Sequence, residues 1–186
     1  TECDYKILCH IHEFRDMKCC SEAKDGAIPN PSFTVSVWDD EEMTEQVPSS
    51  PNGGAFSGTV DSICSIDFHV ETEDDIINGE LCIKVHDDNA RTLWQNMKGG
   101  TSSSNLIGSF NFSLEDIYNQ MPNHEYYHQW IGLTNTSSSH VRLGIVGYVK
   151  VTVCVLNITK GERQKFRTLQ DIEKELDQTF SESDVL

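Results

Sequence analysis

The sequence is poor in basic residues. Its 14 Lys and Arg residues stand against 30 Asp and Glu residues, which gives a net charge of −16. Because such a surface repels phosphate backbones, we predict no nucleic-acid partner. Docking on anionic lipid through a basic patch alone is also disfavoured, since that mode needs clustered Lys or Arg. Contact with such a membrane would require inserted apolar loops or local neutralisation of the acids.

Long apolar runs are missing too. No stretch reaches 18 consecutive apolar residues, so we predict no transmembrane segment within the 186 residues. The start, TECDYKILCH, has neither an initiator Met nor a signal-peptide pattern, and we expect a piece of a longer chain. With 37% hydrophobic residues the chain can bury one core. We predict a folded domain over 1–158 and a linker with a helical tail over 159–186.

Catalytic motifs are lacking as well. The sequence has no G-x-S-x-G elbow, and its KGGTSS segment has the wrong order for a phosphate-binding loop. We therefore predict that the protein is not an enzyme. The seven cysteines are an odd number without the compact spacing of a disulfide scaffold. Reduced, mostly buried thiols in a cytoplasmic protein fit them best.

What the sequence does contain is period-two alternation of apolar and polar residues, which is typical of half-buried strands. The apolar sets are Ile7, Cys9 and Ile11; Phe33, Val35 and Val37; Ile66, Phe68 and Val70; Leu81, Ile83 and Val85; Phe110, Phe112 and Leu114; and Val149, Val151, Val153 and Val155. Between them lie turn-rich segments, including an acidic and Ser-Pro-Gly-rich insertion over about 39–58. A short helix is predicted from Ser113, where S-x-x-D ends in Asp116. The pattern predicts an all-β antiparallel sandwich.

The character changes near the C-terminus. Apolar residues recur there at three- and four-residue intervals, which predicts an amphipathic helix; they are Phe166, Leu169, Ile172, Leu176 and Phe180. This face either packs on the sandwich or on a following domain, or it binds a partner. The segment is too acidic to favour a membrane-surface helix.

Three segments carry a resemblance to a known family. NLIGSFNFSLEDIYNQMPNHEYYHQW and GYVKVTVCVL lie within 105–156, NPSFTVSVW lies at 30–38, and ELCIKVHDDN ends at Asn89. In this order they resemble a C2 domain of the ferlin family, the multi-C2, tail-anchored proteins of vesicle fusion and membrane repair. The resemblance implies an eight-stranded antiparallel sandwich, expected in type II strand order. It also implies a place at the cytosolic face of a membrane.

The resemblance further implies where calcium would bind. The positions that match the family's ligating loops are Asp25, Asn30, Asp87, Asp88, Asn89 and Asn105, with Glu22 as an alternative to Asp25. At three of the five expected carboxylates, Asn30, Asn89 and Asn105, the chain has an amide. One unit charge pair at about 4 Å is worth roughly 4 kcal/mol at an effective dielectric of about 20, so three losses are hard to recover. We predict that no cofactor is required and that calcium binding is possible but not favoured.

The predicted function is a non-catalytic interaction module in vesicle trafficking, exocytosis or membrane fusion. Two alternatives stay open: a calcium-dependent phospholipid-binding domain, and a purely protein-binding scaffold. The partner is accordingly a membrane phospholipid, another protein or another domain of the same chain. For lipid contact, the candidate residues in the third loop are Leu93, Trp94, Met97 and Lys98. The alternative for Trp94 is packing back onto the edge of the sandwich.

A zinc site from Cys9, His10, His12, Cys19 and Cys20 also has to be weighed. Strand alternation places His10 and His12 on one face and Cys9 on the other, which strains a single tetrahedral site. We interpret this stretch as a core thiol beside surface histidines.

Overall fold

The computed structural model describes residues 2–19, 28–38, 40–43, 50–52, 55–87, 105–136 and 142–183. Antiparallel strands dominate it, and one α-helix lies near the C-terminus. The elements are β1 (Cys3–Met17), β2 (Pro31–Val37), β3 (Asp40–Met43), β4 (Ser50–Asn52), β5 (Ala55–Val70), β6 (Glu80–Asp87), β7 (Leu106–Ser113), β8 (Glu125–Asn135), β9 (Arg142–Asn157) and α1 (Leu169–Ser183). The predicted all-β antiparallel class is confirmed.

The strands follow the order β3-β2-β6-β7-β8-β9-β1-β5-β4. Between β7 and β8 the pairing narrows to one residue pair, Ser109 with Thr134. The sheet can therefore fold over at this point into two layers whose inner faces share one core. Fully buried side chains from both layers form that core, among them Tyr5, Phe14, Phe33, Leu81 and Ile131.

The alternation predicted from sequence places the core correctly. Ile7, Cys9, Ile11 and the four alternating valines of β9 are buried. The outer face of β9 differs from expectation, because Thr152, Cys154 and Leu156 are buried as well. Residues that follow β9 turn back over this face, and Phe166 packs against Leu8, Cys154 and Leu156.

The segment expected as an insertion at 39–58 contributes to the sheet. β3 pairs with β2, β4 pairs with β5, and residues 55–58 are the first residues of β5. Two of the nine strands, β3 and β4, are thus short additions at the two edges of the sheet. Seven longer strands make up the rest.

The predicted short helix is a π-helical turn, Asp116–Gln120, and the hydroxyl of Ser113 accepts a hydrogen bond from the Asp116 amide at 3.2 Å. The C-terminal helix, whose predicted apolar face includes Phe166, begins at Leu169. Thr168 explains this start: its hydroxyl accepts from the Asp171 amide at 3.2 Å, and its own amide donates to the Asp171 carboxylate at 2.8 Å. This reciprocal cap holds the pKa of Asp171 below its usual value. Phe166 therefore lies outside the helix.

Candidate functional site

Three of the predicted calcium positions lie together at one end of the sheet, which we call the loop end (Asn30, Asp87 and Asn105). β6 runs between β2 and β7, and its last residue, Asp87, is paired with Pro31 of β2. Asn30 directly precedes β2. Asn105 directly precedes β7, whose first residue, Leu106, pairs with His86. The topology thus places Asp87 beside Asn30, which lies 57 positions earlier in the sequence, and beside Asn105, which lies 18 positions later.

The carboxylate of Asp87 is already engaged by the chain. Asp87 is fully buried, and the backbone amide of Asn30 donates a hydrogen bond to its Oδ1 at 3.2 Å. This bond ties the start of β2 to the end of β6. Asp87 therefore has a structural role that does not depend on an ion.

The side chain of Asn105 has a different environment. It is 1% exposed, and neither its Oδ1 nor its Nδ2 has a hydrogen-bond partner within the part of the chain that the structure describes. A buried amide in this position can offer a carbonyl oxygen to an ion but brings no negative charge. At the loop end, one carboxylate is accompanied by two amides.

The other predicted positions lie outside the described residues. These are Asp25, Asp88 and Asn89 of the calcium set, and Leu93, Trp94, Met97 and Lys98 of the lipid-contact set. Across the described ranges, no three His, Cys, Asp or Glu side chains are already placed to hold a metal ion. No helix in those ranges is both long and apolar enough to cross a membrane.

A second concentration of reactive side chains lies on the outer face of β1, β8 and β9. We call it the histidine face (His10, His12, His128 and Thr152). The ring centroids of His10 and His12 are 3.9 Å apart, and those of His12 and His128 are 4.1 Å apart. Three imidazoles from two distant stretches of sequence therefore form one contiguous group of tilted rings.

Breaks in the strand register position these three rings. Pairing shifts between Ile11 and Glu13 on β1, so His12 is the residue at the bulge, and it shifts again between Tyr126 and Gln129 on β8, which includes His128. His128 adopts a left-handed backbone conformation with φ of 47°. Bulges re-aim side chains and are frequent beside functional sites, and a non-glycine residue at positive φ costs free energy. The backbone of His128 is held there by a 3.1 Å hydrogen bond from its amide to the Thr152 hydroxyl.

Hydrogen bonds fix two of the rings. His12 Nε2 lies 2.8 Å from the Thr152 hydroxyl, and His10 Nε2 lies 2.8 Å from Oδ1 of Asp61. Burial, followed by charge repulsion from His10, His128 and Lys150, lowers the pKa of His12 to about 4. Burial, followed by Lys150 and His10, lowers the pKa of His128 too. At neutral pH His12 is therefore an uncharged imidazole with a lone pair.

Solved structures show what this architecture is. Over 83% of this chain, it resembles a fragment of extended synaptotagmin 2 that contains the SMP domain and two C2 domains, with a TM-score of 0.55 and 12% identity. It also resembles a fragment of that protein with the two C2 domains alone, with a TM-score of 0.52, 11% identity and 82% of this chain covered. The chain has the C2 fold. It spans 28% and 39% of those two chains, and at these identities the likeness concerns the fold alone. No family model matches the sequence, and no curated protein matches it.

This C2 domain carries a C-terminal segment (residues 158–183) attached through one buried carboxylate. Glu125, whose side chain is 1% exposed, accepts hydrogen bonds at 2.8 Å from both Arg163 and Arg167. Arg167 also pairs with Glu175 of α1. Because Glu125 opens β8, this network holds the segment across the outer face of the sheet.

Two further contacts reinforce the attachment. Glu162 accepts a hydrogen bond from the Tyr118 hydroxyl at 2.8 Å and another from the Asn157 amide at 2.7 Å. Arg163 also contacts the Cys154 sulfur at 3.7 Å. Burial raises the pKa of Cys154 to about 12, so this thiol is not a nucleophile at neutral pH.

The predicted partner-binding face of the helix is divided by the structure. Phe166 packs on the sheet and Ile172 is half-buried, whereas Leu169 is 74% exposed and Leu176 is 52% exposed. The side chain of Phe180 lies outside the described residues. The segment therefore uses part of its apolar face to pack on its own domain and leaves two leucines at the surface.

Sequence reasoning missed His128 and the Glu125 network. His128 lies in HEYYHQW, a stretch whose aromatic residues indicate only packing of the short helix and the following strand. A sign of the network was present: Arg163 and Arg167 are two of only 14 basic residues, and they flank Phe166. The sequence had no signal, however, that both arginines bind Glu125, about 40 residues earlier.

Proposed function

We propose that this C2 domain is a non-catalytic interaction module of a ferlin-like protein at the cytosolic face of membranes, in vesicle trafficking, exocytosis or membrane fusion. Its partner is a phospholipid surface or another protein or domain, and calcium is not required. One observation supports calcium independence: of the three loop-end residues only Asp87 has a carboxylate, and its Oδ1 already accepts a hydrogen bond from the backbone amide of Asn30.

Charge explains why this observation matters. Calcium takes six to eight oxygen ligands, and the number of carboxylates among them sets its affinity. Asn30 and Asn105 supply oxygen without charge, and Oδ1 of Asp87 accepts a backbone hydrogen bond that an ion would have to compete with. The loop end can remain folded without an ion for the same reason.

The membrane part of the proposal follows from the fold and from the sequence. The strongly acidic chain, with net charge −16, is unsuited to anionic lipid by charge alone. Contact through the apolar residues Leu93, Trp94 and Met97 does not need positive charge, since Trp favours the membrane interface. Lys98 adds one base beside them.

Vesicle co-sedimentation tests the proposal. Neutral phosphatidylcholine vesicles and vesicles with added phosphatidylserine are each mixed with the chain, in calcium and in a calcium chelator. We expect equal binding with and without calcium, and we expect Trp94→Ala to reduce it. Binding that appears only in calcium would overturn the calcium-independent assignment. No binding to either vesicle in any condition would leave the scaffold alternative and reject the lipid one.

Calcium titration by calorimetry tests the loop end directly. We expect no saturable heat at micromolar calcium in the parent chain, and none in Asp87→Asn. Asp74→Asn is the matched control, because Asp74 is an exposed acid in the turn Glu73–Asn78, at the opposite end of β6. Saturable heat in the parent and in Asp74→Asn that disappears in Asp87→Asn would show a working calcium site.

A further inference from the structure

We propose that Arg15, Trp130 and Tyr148, on the outer face of the sheet, form a second membrane contact that binds the headgroup of an anionic phospholipid. We call these three residues the cation–aromatic patch. The inference rests on the proposed membrane function and adds a contact surface that is separate from Trp94 and its neighbours in the third loop. The patch combines a guanidinium, which suits a phosphate, with two side chains that favour the membrane interface.

Strand pairing brings the three side chains together. Arg15 of β1 pairs with Tyr148 of β9. Two residues further along β9, Lys150 pairs with Trp130 of β8. Val149, between Tyr148 and Lys150, is fully buried, so its two neighbours lie on the outer face. The guanidinium carbon of Arg15 is 4.3 Å from the centroid of the Trp130 ring and 5.3 Å from that of the Tyr148 ring.

The guanidinium of Arg15 has donors available for an anion. Arg15 is exposed, and within the described residues its guanidinium has these cation–π contacts but no carboxylate partner. Arg163 and Arg167 differ, because both bind Glu125. The planar fork of N–H donors on a guanidinium fits the oxygens of a phosphate. The Trp130 ring therefore supports Arg15 in an orientation suited to an anion.

The charged residues around the patch include more bases than acids. Lys150 and the exposed Lys18 are bases near Arg15, and Glu13 and Asp16 are the acids beside it in the sequence. Glu13 is already compensated, because its carboxylate lies 3.9 Å from the Lys150 ammonium. In a chain with a net charge of −16, this excess of bases supplies the local neutralisation that contact with an anionic membrane requires.

The patch lies on the half of the outer face that is nearer to the loop end. The side chain of Asn135, the last residue of β8, donates a hydrogen bond at 3.1 Å to the carbonyl of Leu106. Leu106 directly follows the loop-end residue Asn105. Trp130 precedes Asn135 by five residues, which corresponds to about 17 Å along a strand. A tilted domain can therefore contact one membrane with its loop end and with this patch.

The C-terminal segment packs on the other half of the outer face. Phe166 contacts the cluster that contains Leu8 and Cys154, and these two residues pair with each other on β1 and β9. Arg15 lies seven residues further along β1. The attachment of the segment to Glu125 is at the same remote end, because Glu125 pairs with Cys154. The segment and the patch therefore occupy different parts of the face.

A cavity beside Arg15 has room for a headgroup. Its volume is about 320 Å³, which is in the range of small-molecule sites, and its lining includes Glu13, Arg15, Ser57, Thr59 and Trp130. Ser57 and Thr59, near the start of β5, bring hydroxyl donors to the same cavity as the guanidinium. A phosphate there would have neutral as well as charged donors around it.

Co-sedimentation with vesicles of phosphatidylcholine and phosphatidylserine measures the contribution of Arg15. Arg15→Gln should weaken binding about fivefold, the usual contribution of one base near an anionic surface. This effect should shrink as salt is added, because salt screens exposed charges. Lys174→Gln is the matched control: it removes the same charge from an exposed residue of α1 and should leave binding unchanged.

Trp130 should contribute in a different way. Trp130→Ala should weaken binding to neutral phosphatidylcholine vesicles as well as to anionic ones, whereas Arg15→Gln should act on the anionic vesicles alone. Trp130→Phe keeps an aromatic ring and preserves the fold where the alanine variant does not. With saturating vesicles that contain brominated lipid, quenching of tryptophan fluorescence should be smaller in Trp130→Phe than in the parent chain. Circular dichroism establishes that each variant is folded before its binding is interpreted.

The outcomes separate this proposal from the proposed function. If Arg15→Gln and Trp130→Ala bind vesicles as the parent does, or if Trp130→Phe is quenched equally, the patch is overturned and the proposed function stands. A parent chain that binds no vesicle would overturn both. A polyglutamate peptide represents the other class of partner. Saturable binding of this peptide that is lost in Arg15→Gln, with vesicle binding unchanged, would assign the patch to an acidic protein segment and overturn the lipid proposal.

Discussion

The loop end and the histidine face differ in how their residues are brought together and in what they do with charge. At the loop end, the buried carboxylate of Asp87 accepts a backbone hydrogen bond and lies on strands next to Asn30 and Asn105. On the histidine face, three imidazoles contact one another at a bulged part of the sheet, and a buried Glu125 with two arginines holds a covering segment beside them. The first region has one negative charge among its three residues. The second combines neutral imidazoles with a buried ion-pair network.

This difference shows that position within a fold and chemistry at that position are separate properties. The three loop-end residues lie where the strand order places them, and the carboxylate of Asp87 accepts a backbone hydrogen bond there. The histidine face depends on register shifts in β1 and β8, which the strand order does not determine. Changes to either region can therefore be made without rebuilding the other.

The largest expected effect comes from the charge network beside the histidine face. Glu125→Gln should lower the free energy of unfolding by about 3 kcal/mol, because it leaves Arg163 and Arg167 without the buried carboxylate that they share. Denaturant unfolding measures the loss. Hydrogen exchange should also become faster in α1, since the segment is attached through this acid.

Glu173→Gln is the control for that change, because Glu173 is an exposed acid on α1. It should alter stability by less than about 0.5 kcal/mol. Equal losses in the two variants would mean that Glu125 does not attach the segment.

The next largest effect is expected from a substitution at the loop end. Asn105→Asp buries a second carboxylate near Asp87 and should lower the free energy of unfolding by about 2 kcal/mol in a calcium chelator. Part of this loss should be recovered at millimolar calcium, since the added charge strengthens an oxygen site. Thermal unfolding with and without calcium measures both parts.

Asn119→Asp serves for comparison, since Asn119 is exposed in the turn Asp116–Gln120. Its stability should change little in either condition. If Asn105→Asp is as stable as the parent chain without calcium, the buried environment assigned to Asn105 is wrong.

A smaller effect is expected within the apolar residues of the C-terminal segment. Phe166→Ala should lower the free energy of unfolding by about 1.5 kcal/mol, roughly half of a fully buried Phe→Ala change, because the ring is only partly buried on Leu8, Cys154 and Leu156. Leu169→Ala should change it by less than about 0.5 kcal/mol, because Leu169 is 74% exposed. Denaturant unfolding measures the free energy of unfolding of the two variants. Similar losses in both would contradict the assignment of Phe166 to packing and of Leu169 to the surface.

The smallest effect is a pH dependence of the free energy of unfolding that comes from His12. The pKa of His12 is about 4 in the folded chain and about 6.5 when unfolded, so the unfolded state binds more protons between these values. The contribution of His12 to stability is therefore lost as the pH falls through this window. His12→Gln should gain stability relative to the parent as the pH decreases from about 7 to about 4.5, measured by thermal unfolding in a metal chelator.

His69→Gln should show the opposite sign. The hydrogen bond with Asp4 raises the pKa of His69, so its contribution is present at low pH and disappears as the pH rises through the folded value. The variant should therefore lose stability relative to the parent on acidification. Parallel curves for the two variants would contradict the assigned pKa directions.

The strands and the core were predictable because alternation depends on neighbours in sequence. Ile83 and Val151 are buried as their patterns indicate, and the hydroxyl of Ser113 caps the predicted turn. The helix start at Leu169 was not predicted, since apolar spacing alone does not reveal the cap formed by Thr168 and Asp171. The burial of Thr152 and Cys154 was not predictable from β9 alone, because a later segment covers them.

The sequence by itself determined the antiparallel class, the inner face of most strands and the presence of amides rather than carboxylates at Asn30 and Asn105. These features follow from local periodicity or from residue identity. Only the tertiary structure decided that His10 and His12 meet His128, and that Arg163 and Arg167 share Glu125. The reason is that a bulge moves a side chain by breaking the register, and a buried ion pair forms between segments far apart in sequence. Neither the bulge nor the ion pair produces a periodic pattern of apolar residues within one segment of the sequence.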